Sequence, residues 1–185
     1  MKSLLLLLKT KFLLILLLGL LSCSNDINHY QDTTPVLDIQ SYFTGPVIAW
    51  GIVQDYNLKV TRRFCVELEG SWQQEQGLLK EVFYFKDGEV SRRNWRLTRQ
   101  GGGKYLGQAE DVIGIAGGQQ LGYAFRWQYR LAIDIDGESY HFDLDDWMYR
   151  IDDHRVFNKT QMKKFGITLA EITLFFDKEQ PLRHC

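Results

Sequence analysis

Residues 123–149, YAFRWQYRLAIDIDGESYHFDLDDWMY, constrain the fold more than any other stretch. From Tyr123 to Ile135 every odd position is large and apolar, and every even position is small or polar. A period of two marks a β-strand with one buried face. Asp136-Gly137 is a two-residue turn of the kind that joins antiparallel strands. Closing the hairpin there pairs Ile135 with Glu138, Ile133 with Tyr140, Leu131 with Phe142, Tyr129 with Leu144 and Phe125 with Met148. The apolar face then continues without a bulge. On the other face Arg130 meets Asp143, a cross-strand pair worth a few tenths to about 1 kcal/mol. Trp127 falls opposite Asp146, an acid that this register turns toward the apolar side.

The chain upstream has the same character. Phe43 to Val53 reads as a first strand and Lys59 to Gly70 as a second, with Val60, Phe64, Val66 and Leu68 on one face. Leu78–Phe85 and Glu89–Arg99 flank Lys86-Asp87-Gly88. A two-residue turn there would set Phe83 against Arg92 and leave Trp95 on the wrong face. A three-residue loop with Gly88 in the left-handed bulge position pairs Phe83 with Ser91, Glu81 with Arg93 and Leu79 with Trp95. Glu81 and Arg93 are then expected as a mutually neutralising pair within an apolar face, since an isolated buried charge is costly. The glycines from Gly107 to Gly122 mark bulges, bends or close backbone approach. They are not a phosphate loop, because no Lys-Ser/Thr follows them. His154–Met162 and Ile167–Phe176 close the chain as two more strands.

About eight to ten consecutive antiparallel strands predict an all-β fold, an up-and-down barrel. A membrane-spanning barrel carries its apolar face outward on every strand. Lys59–Gly70 and Glu89–Arg99 carry charges on both faces, so the expected barrel is lipocalin-like (calycin-type), apolar inside and wetted outside.

Before the barrel lie segments of another kind. Lys2, Lys9 and Lys11 precede or flank an apolar run of ten residues, Phe12–Leu21, too short to span a membrane and fitting a secretory leader over 1–22. Leu20-Leu21-Ser22-Cys23 resembles the bacterial lipobox, which implies that Cys23 is the diacylated first residue of the mature chain. Ser24 after it, by the sorting pattern of such lipoproteins, implies the outer membrane, with the protein facing the periplasm of a Gram-negative cell. Residues 23–40 are expected as lipidated N-terminus and tether, Asn25–Pro35 being polar and without periodicity. The barrel domain is expected over 41–180.

Without the leader the chain has 19 basic and 23 acidic residues, a net charge of −4. That balance argues against nucleic acid as a partner. The expected partners are the membrane, through the lipid anchor, and a small lipophilic ligand; the protein itself is expected as a monomer. Cys65 and Cys185 are the two remaining cysteines, and an oxidising periplasm permits a bridge between them.

Several features together resemble a bacterial lipoprotein family known as domain of unknown function 3833. They are Phe43-x-Gly45 with Ala49-x-Gly51 and Asp55, Glu81-Val82-Phe83, and Arg93-x-Trp95-Arg96-Leu97. Tyr105-x-Gly107-x-Ala109 and Asp111-Val112-x-Gly114 follow, then Asp145-Asp146-Trp147-Met148-Tyr149, Asn158, Met162 and Phe165-Gly166. The resemblance implies a lipocalin-like lipoprotein without assigned chemistry. The Gly-x-Trp signature of ordinary lipocalins is absent, since Gly45-Pro46-Val47 lacks the tryptophan.

No Ser/His/Asp or Cys/His arrangement for nucleophilic catalysis is present, and no cofactor is implied. The acidic cluster of Asp143, Asp145, Asp146, Asp152 and Asp153, with His141 and His154, lacks metal-binding spacing, and alternation sends Asp145 and Asp146 to opposite faces. The candidate ligand-binding residues are Glu81, Arg93, Trp95, Phe125, Trp127, Tyr129, Tyr140, Asp146 and Met148. Asp146 reads either as a ligand-orienting carboxyl in an apolar pocket or as a structural acid bonded to Trp95 or Trp127, or paired with Arg62 or Arg93. The rings either line a cavity or fill a solid core. Three functions follow: a carrier of a lipophilic molecule, an enzyme modifying a lipid or isoprenoid through Asp146, Glu81 and Arg93, or a structural or assembly component of the envelope.

Overall fold

The computed structural model describes residues 25–135, 137–179 and Cys185. The leader over 1–22, the lipidation candidate Cys23 and Asp136 of the predicted turn lie outside the described residues. Among the described residues ten strands follow one another in a closed antiparallel up-and-down barrel. They are β1 (Gly45–Asp55), β2 (Val60–Gln73), β3 (Gln76–Phe85), β4 (Val90–Gln100) and β5 (Lys104–Gln108), then β6 (Val112–Leu121), β7 (Ala124–Ile135), β8 (Glu138–Arg150), β9 (Arg155–Lys164) and β10 (Ile167–Asp177). Closure comes from β1 pairing with β10, from Ile48↔Asp177 to Asp55↔Ala170.

The β7–β8 hairpin has the expected register throughout, including Arg130↔Asp143 and Trp127↔Asp146. The β3–β4 hairpin has the three-residue register, with Glu81↔Arg93 and Leu79↔Trp95, and Gly88 at φ +94°. Inward positions are mostly apolar, while charged residues such as Glu69, Arg92, Arg96 and Lys159 are exposed outside. A membrane-spanning barrel needs the reverse.

The glycine-rich stretch contains both features anticipated for it. The β6–β7 register shifts between Ile113 and Gly117. A Cβ at Gly107 or Gly118 would lie 2.6 or 2.5 Å from the Trp127 ring, so the indole packs directly onto backbone there. The short β5 matters more. It pairs with β4 only from Arg96 onward, so the Val90–Trp95 half of β4 has no strand on that side. The β5–β6 loop folds over the gap instead, and Glu110 accepts from the Asn94 backbone N–H at 2.9 Å.

The polar stretch from Asn25 to Pro35, expected as a tether, is instead packed on the barrel. The Tyr30 ring lies 5.3, 5.8 and 5.7 Å from those of Tyr123, Trp147 and Tyr149. The Leu37 N–H donates to the Gly122 carbonyl at 2.9 Å, and Arg150 donates to the Val36 carbonyl at 2.6 Å. Ile39–Tyr42 then forms a single helical turn, with Asp38 accepting from the Ser41 N–H at 2.7 Å. Leu37, Ile39, Tyr42 and Phe43 are buried and belong to the main core, closing one end of the barrel. Lys178 ties down the plug by donating to the carbonyls of Tyr42 and Thr44 at 2.7 and 2.9 Å. Gly70 makes room for it, because a Cβ there would stand 1.5 Å from the Phe43 carbonyl oxygen. On the outer wall Cys65 is disulfide-bonded to Cys185, with Cα atoms 5.6 Å apart.

Candidate functional site

The barrel interior is not solid. A cavity of about 220 Å³ runs through it, walled mostly by apolar side chains. For scale, an apolar cavity of about 150 Å³ accommodates a benzene ring. Of the nine candidate residues, Glu81, Arg93, Trp95, Phe125, Trp127, Tyr129, Asp146 and Met148 line this cavity. Tyr140 does not. It packs with the smaller Leu131–Phe142–Leu144 cluster, and its hydroxyl donates to Glu138 at 2.9 Å. Tyr140 is on the inward face, as alternation requires, but sits too near the open end of β8 to reach the cavity.

Strand order stacks the lining in levels. Toward the plug lie Leu79, Leu97, Phe125 and Met148; toward the open end lie Phe83, Phe85, Leu131 and Leu144. Between them runs a polar belt of Glu81, Arg93, Tyr129, Asp146, Asn158 and Thr160, each inward because its strand alternates. Trp95 anchors the belt, its ring 5.5 Å from Trp127 and 5.3 Å from Tyr129, edge-on to both.

The belt's bonding departs from expectation in two places. Arg93 is not neutralised by Glu81 but by Asp111, on the loop that covers the gap beside β4. Three hydrogen bonds of 3.0, 2.9 and 2.6 Å join the guanidinium to that carboxylate. Glu81 is directly across the ladder from Arg93 yet forms no ion pair with it among the described residues. Asp146, in turn, is held by neither tryptophan nor arginine. Asn158 Nδ2 donates to it, and also to the Trp147 carbonyl at 3.1 Å, while Thr160 is a second hydrogen-bond partner. Arg62 is outside, paired with Asp87 and Glu89, both at 2.8 Å. Asn158 and Thr160 are the belt members that the candidate set lacked. Their signal was the inward polar pair in the alternation Val156, Asn158, Thr160, Met162.

Two buried side-chain oxygens among the described residues have no hydrogen-bond partner, Glu81 Oε2 and the Tyr105 hydroxyl. Both residues line the cavity, the Tyr105 hydroxyl lying at its plugged end near Asp38, Gln40 and Arg99. An unsatisfied buried polar atom costs about 1–3 kcal/mol, so a donor brought to Glu81 Oε2 would relieve a standing cost. Burial raises the Glu81 carboxyl to about 7 despite the opposing charge of Arg93. Burial likewise raises Asp146 to about 7, against the hydrogen bonds from Asn158 and Thr160. Burial also pushes the Tyr129 phenol upward. Near neutral pH the belt therefore holds two carboxyls poised between their protonated and ionised forms.

The other acids of the cluster are engaged outside. Asp145 takes Arg126 at 2.7 Å and Lys163 at 3.5 Å, Asp143 takes Arg130 at 2.8 Å, and Asp152 takes Arg155 at 2.8 Å. The Asp-Asp-Trp-Met-Tyr block thus divides by parity. Asp146 and Met148 face the cavity. Trp147 and Tyr149 receive the N-terminal segment through Tyr30. The chain matches the family described as Protein of unknown function (DUF3833) over residues 17–178 and belongs to it. No curated protein matches the chain.

Proposed function

Taking this member of the DUF3833 family as a barrel with an apolar interior, we propose that it is a periplasm-facing, outer-membrane-anchored lipoprotein that binds one small lipophilic molecule inside the barrel. The observation that carries the reading is the mostly apolar cavity of about 220 Å³, crossed by a belt of polar side chains that includes Glu81, Arg93, Tyr129 and Asp146. Binding sites of this kind are largely apolar with a few placed polar groups.

The anchor half of the reading rests on the lipobox-like Leu20-Leu21-Ser22-Cys23. With Asn25 hydrogen-bonded to Tyr149 at 3.3 Å, only two residue steps separate an acylated Cys23 from the barrel wall. Two steps reach about 7 Å. The anchor would therefore hold the plugged end beside the membrane and direct the open end away from it. The two near-neutral carboxyls, Glu81 and Asp146, also suit acid–base chemistry, which keeps an enzyme acting on the bound molecule as the second reading.

The test is native purification in mild detergent, followed by intact-mass analysis and lipid mass spectrometry. The expected result is one acylated cysteine and a stoichiometric small-molecule adduct. A bare polypeptide that takes up no apolar probe would overturn the binding reading. Loss of membrane association in Cys23→Ser tests the anchor separately.

A further inference from the structure

The charge inventory of the cavity belt narrows the ligand. Among the described residues three charged side chains line the cavity: Glu81, Arg93 and Asp146. The cation of the three is already matched by Asp111, which engages its Nε and Nη2 through three hydrogen bonds. The belt and its loop thus set three carboxyls against one guanidinium. A carboxylate or phosphate headgroup entering here would meet excess acid. The orphaned Glu81 Oε2 is an acceptor that lacks a donor. The aromatic rings of Trp95, Trp127 and Tyr129 surround the same level. Rings of this kind attract cations through their quadrupoles.

On the reading of the barrel as a binder of one amphiphile, we infer that its ligand carries a protonated amine. The ammonium group sits in the belt between Glu81 and Asp146 and donates to Glu81 Oε2, and the alkyl portion occupies the apolar levels. The inference rests on the binding reading but excludes fatty acids and phosphate-headed lipids, which that reading alone would admit.

The protonation behaviour of the belt agrees. The groups influencing Glu81 are Arg93, Asp111, Asp146 and Trp95. Those influencing Asp146 are Asn158, Thr160, Arg93 and Asp145. With both carboxyls near 7, a bound ammonium favours their ionised forms, so amine affinity rises from pH 6 to pH 8 while the amine itself stays charged.

The test compares decylamine, decanol and decanoate, each below its micelle concentration, titrated into delipidated protein at pH 8 with calorimetry as the readout. Decylamine is expected to bind one per chain, at least about tenfold tighter than decanol, the effect of one hydrogen bond to a charged group. Decanoate is expected to bind weakest. Glu81→Gln should bring decylamine down to the decanol value and leave decanol unchanged. If that variant does not fold, Asp146→Asn is read the same way. Decanoate binding as tightly as decylamine, or an amine preference that survives both substitutions, overturns the inference while leaving the cavity reading intact. If none of the three binds, the cavity reading falls with it.

Discussion

The two ends of this barrel are built on opposite principles. At the plugged end the N-terminal segment is drawn into the core: Leu37, Ile39, Tyr42 and Phe43 are buried, and backbone and side-chain donors tie the segment to β6–β7, β8–β9 and the end of β10. At the open end the hairpin tips carry exposed apolar residues, among them Tyr56, Leu58, Phe165 and Ile167. Phe165 is 91% exposed and adopts φ +52° in a two-residue turn with Gly166 at φ +78°. A bulky residue in that region is strained, and asparagine or glycine is the usual occupant. One end is filled with core; the other leaves large apolar side chains in solvent and a phenylalanine in the left-handed region. Such breaches concentrate where a chain does something other than fold.

The contrast can be attacked from the plugged end first. Gly70→Ala puts a Cβ against the Phe43 carbonyl oxygen, a backbone atom that moves only if the plug moves. The expected loss is on the order of 4 kcal/mol, or failure to fold, read by thermal or urea unfolding. A variant of native stability would show that the plug is not integral to the fold.

The belt between the two ends offers a pH test. Folding raises both Glu81 and Asp146 to about 7, so between about pH 4 and pH 7 the folded chain binds more protons than the unfolded one. Their stabilising contribution is therefore complete below the unfolded carboxyl values and is lost as pH rises through 7. For ligand-free protein the expected decline from pH 5 to pH 8 is on the order of 3 kcal/mol, and Glu81→Gln should flatten part of it. A flat profile in the native protein would mean that water entering from the open end already solvates both carboxyls, making the two halves less different than their packing suggests.

The smallest effect belongs to the open end. Phe165→Asn relieves the left-handed strain and exposes no core, so a gain of roughly 0.5 kcal/mol in unfolding free energy is expected. A loss of stability on that substitution would assign the ring a structural role and remove the contrast.

Much of this architecture was readable from local pattern. The β7–β8 and β3–β4 registers follow from alternation and turn length, both short-range properties, which alone place Asp146, Trp95 and Tyr129 inward. Tyr140 was on the predicted face and still missed the cavity, because alternation decides the face of a strand and not its height in the barrel. The partner of Arg93 was illegible for a related reason. Glu81 is opposite it in the ladder, but the choice of Asp111 depends on β5 ending too soon to cover β4, which places a loop carboxylate over the gap.

Sequence alone determined eight of the strands, the registers of the β3–β4 and β7–β8 hairpins and the inward acid, since each rests on short-range periodicity and turn length. Tertiary structure decided the rest: where the Gly107–Gly122 stretch divides into β5 and β6, the register in which β1 closes on β10, the docking of a segment that reads as a polar tether, and an interior left open. Those outcomes depend on how ten strands share one circumference and on what fills its ends. Strand-level alternation is identical whether the space it encloses is filled or empty.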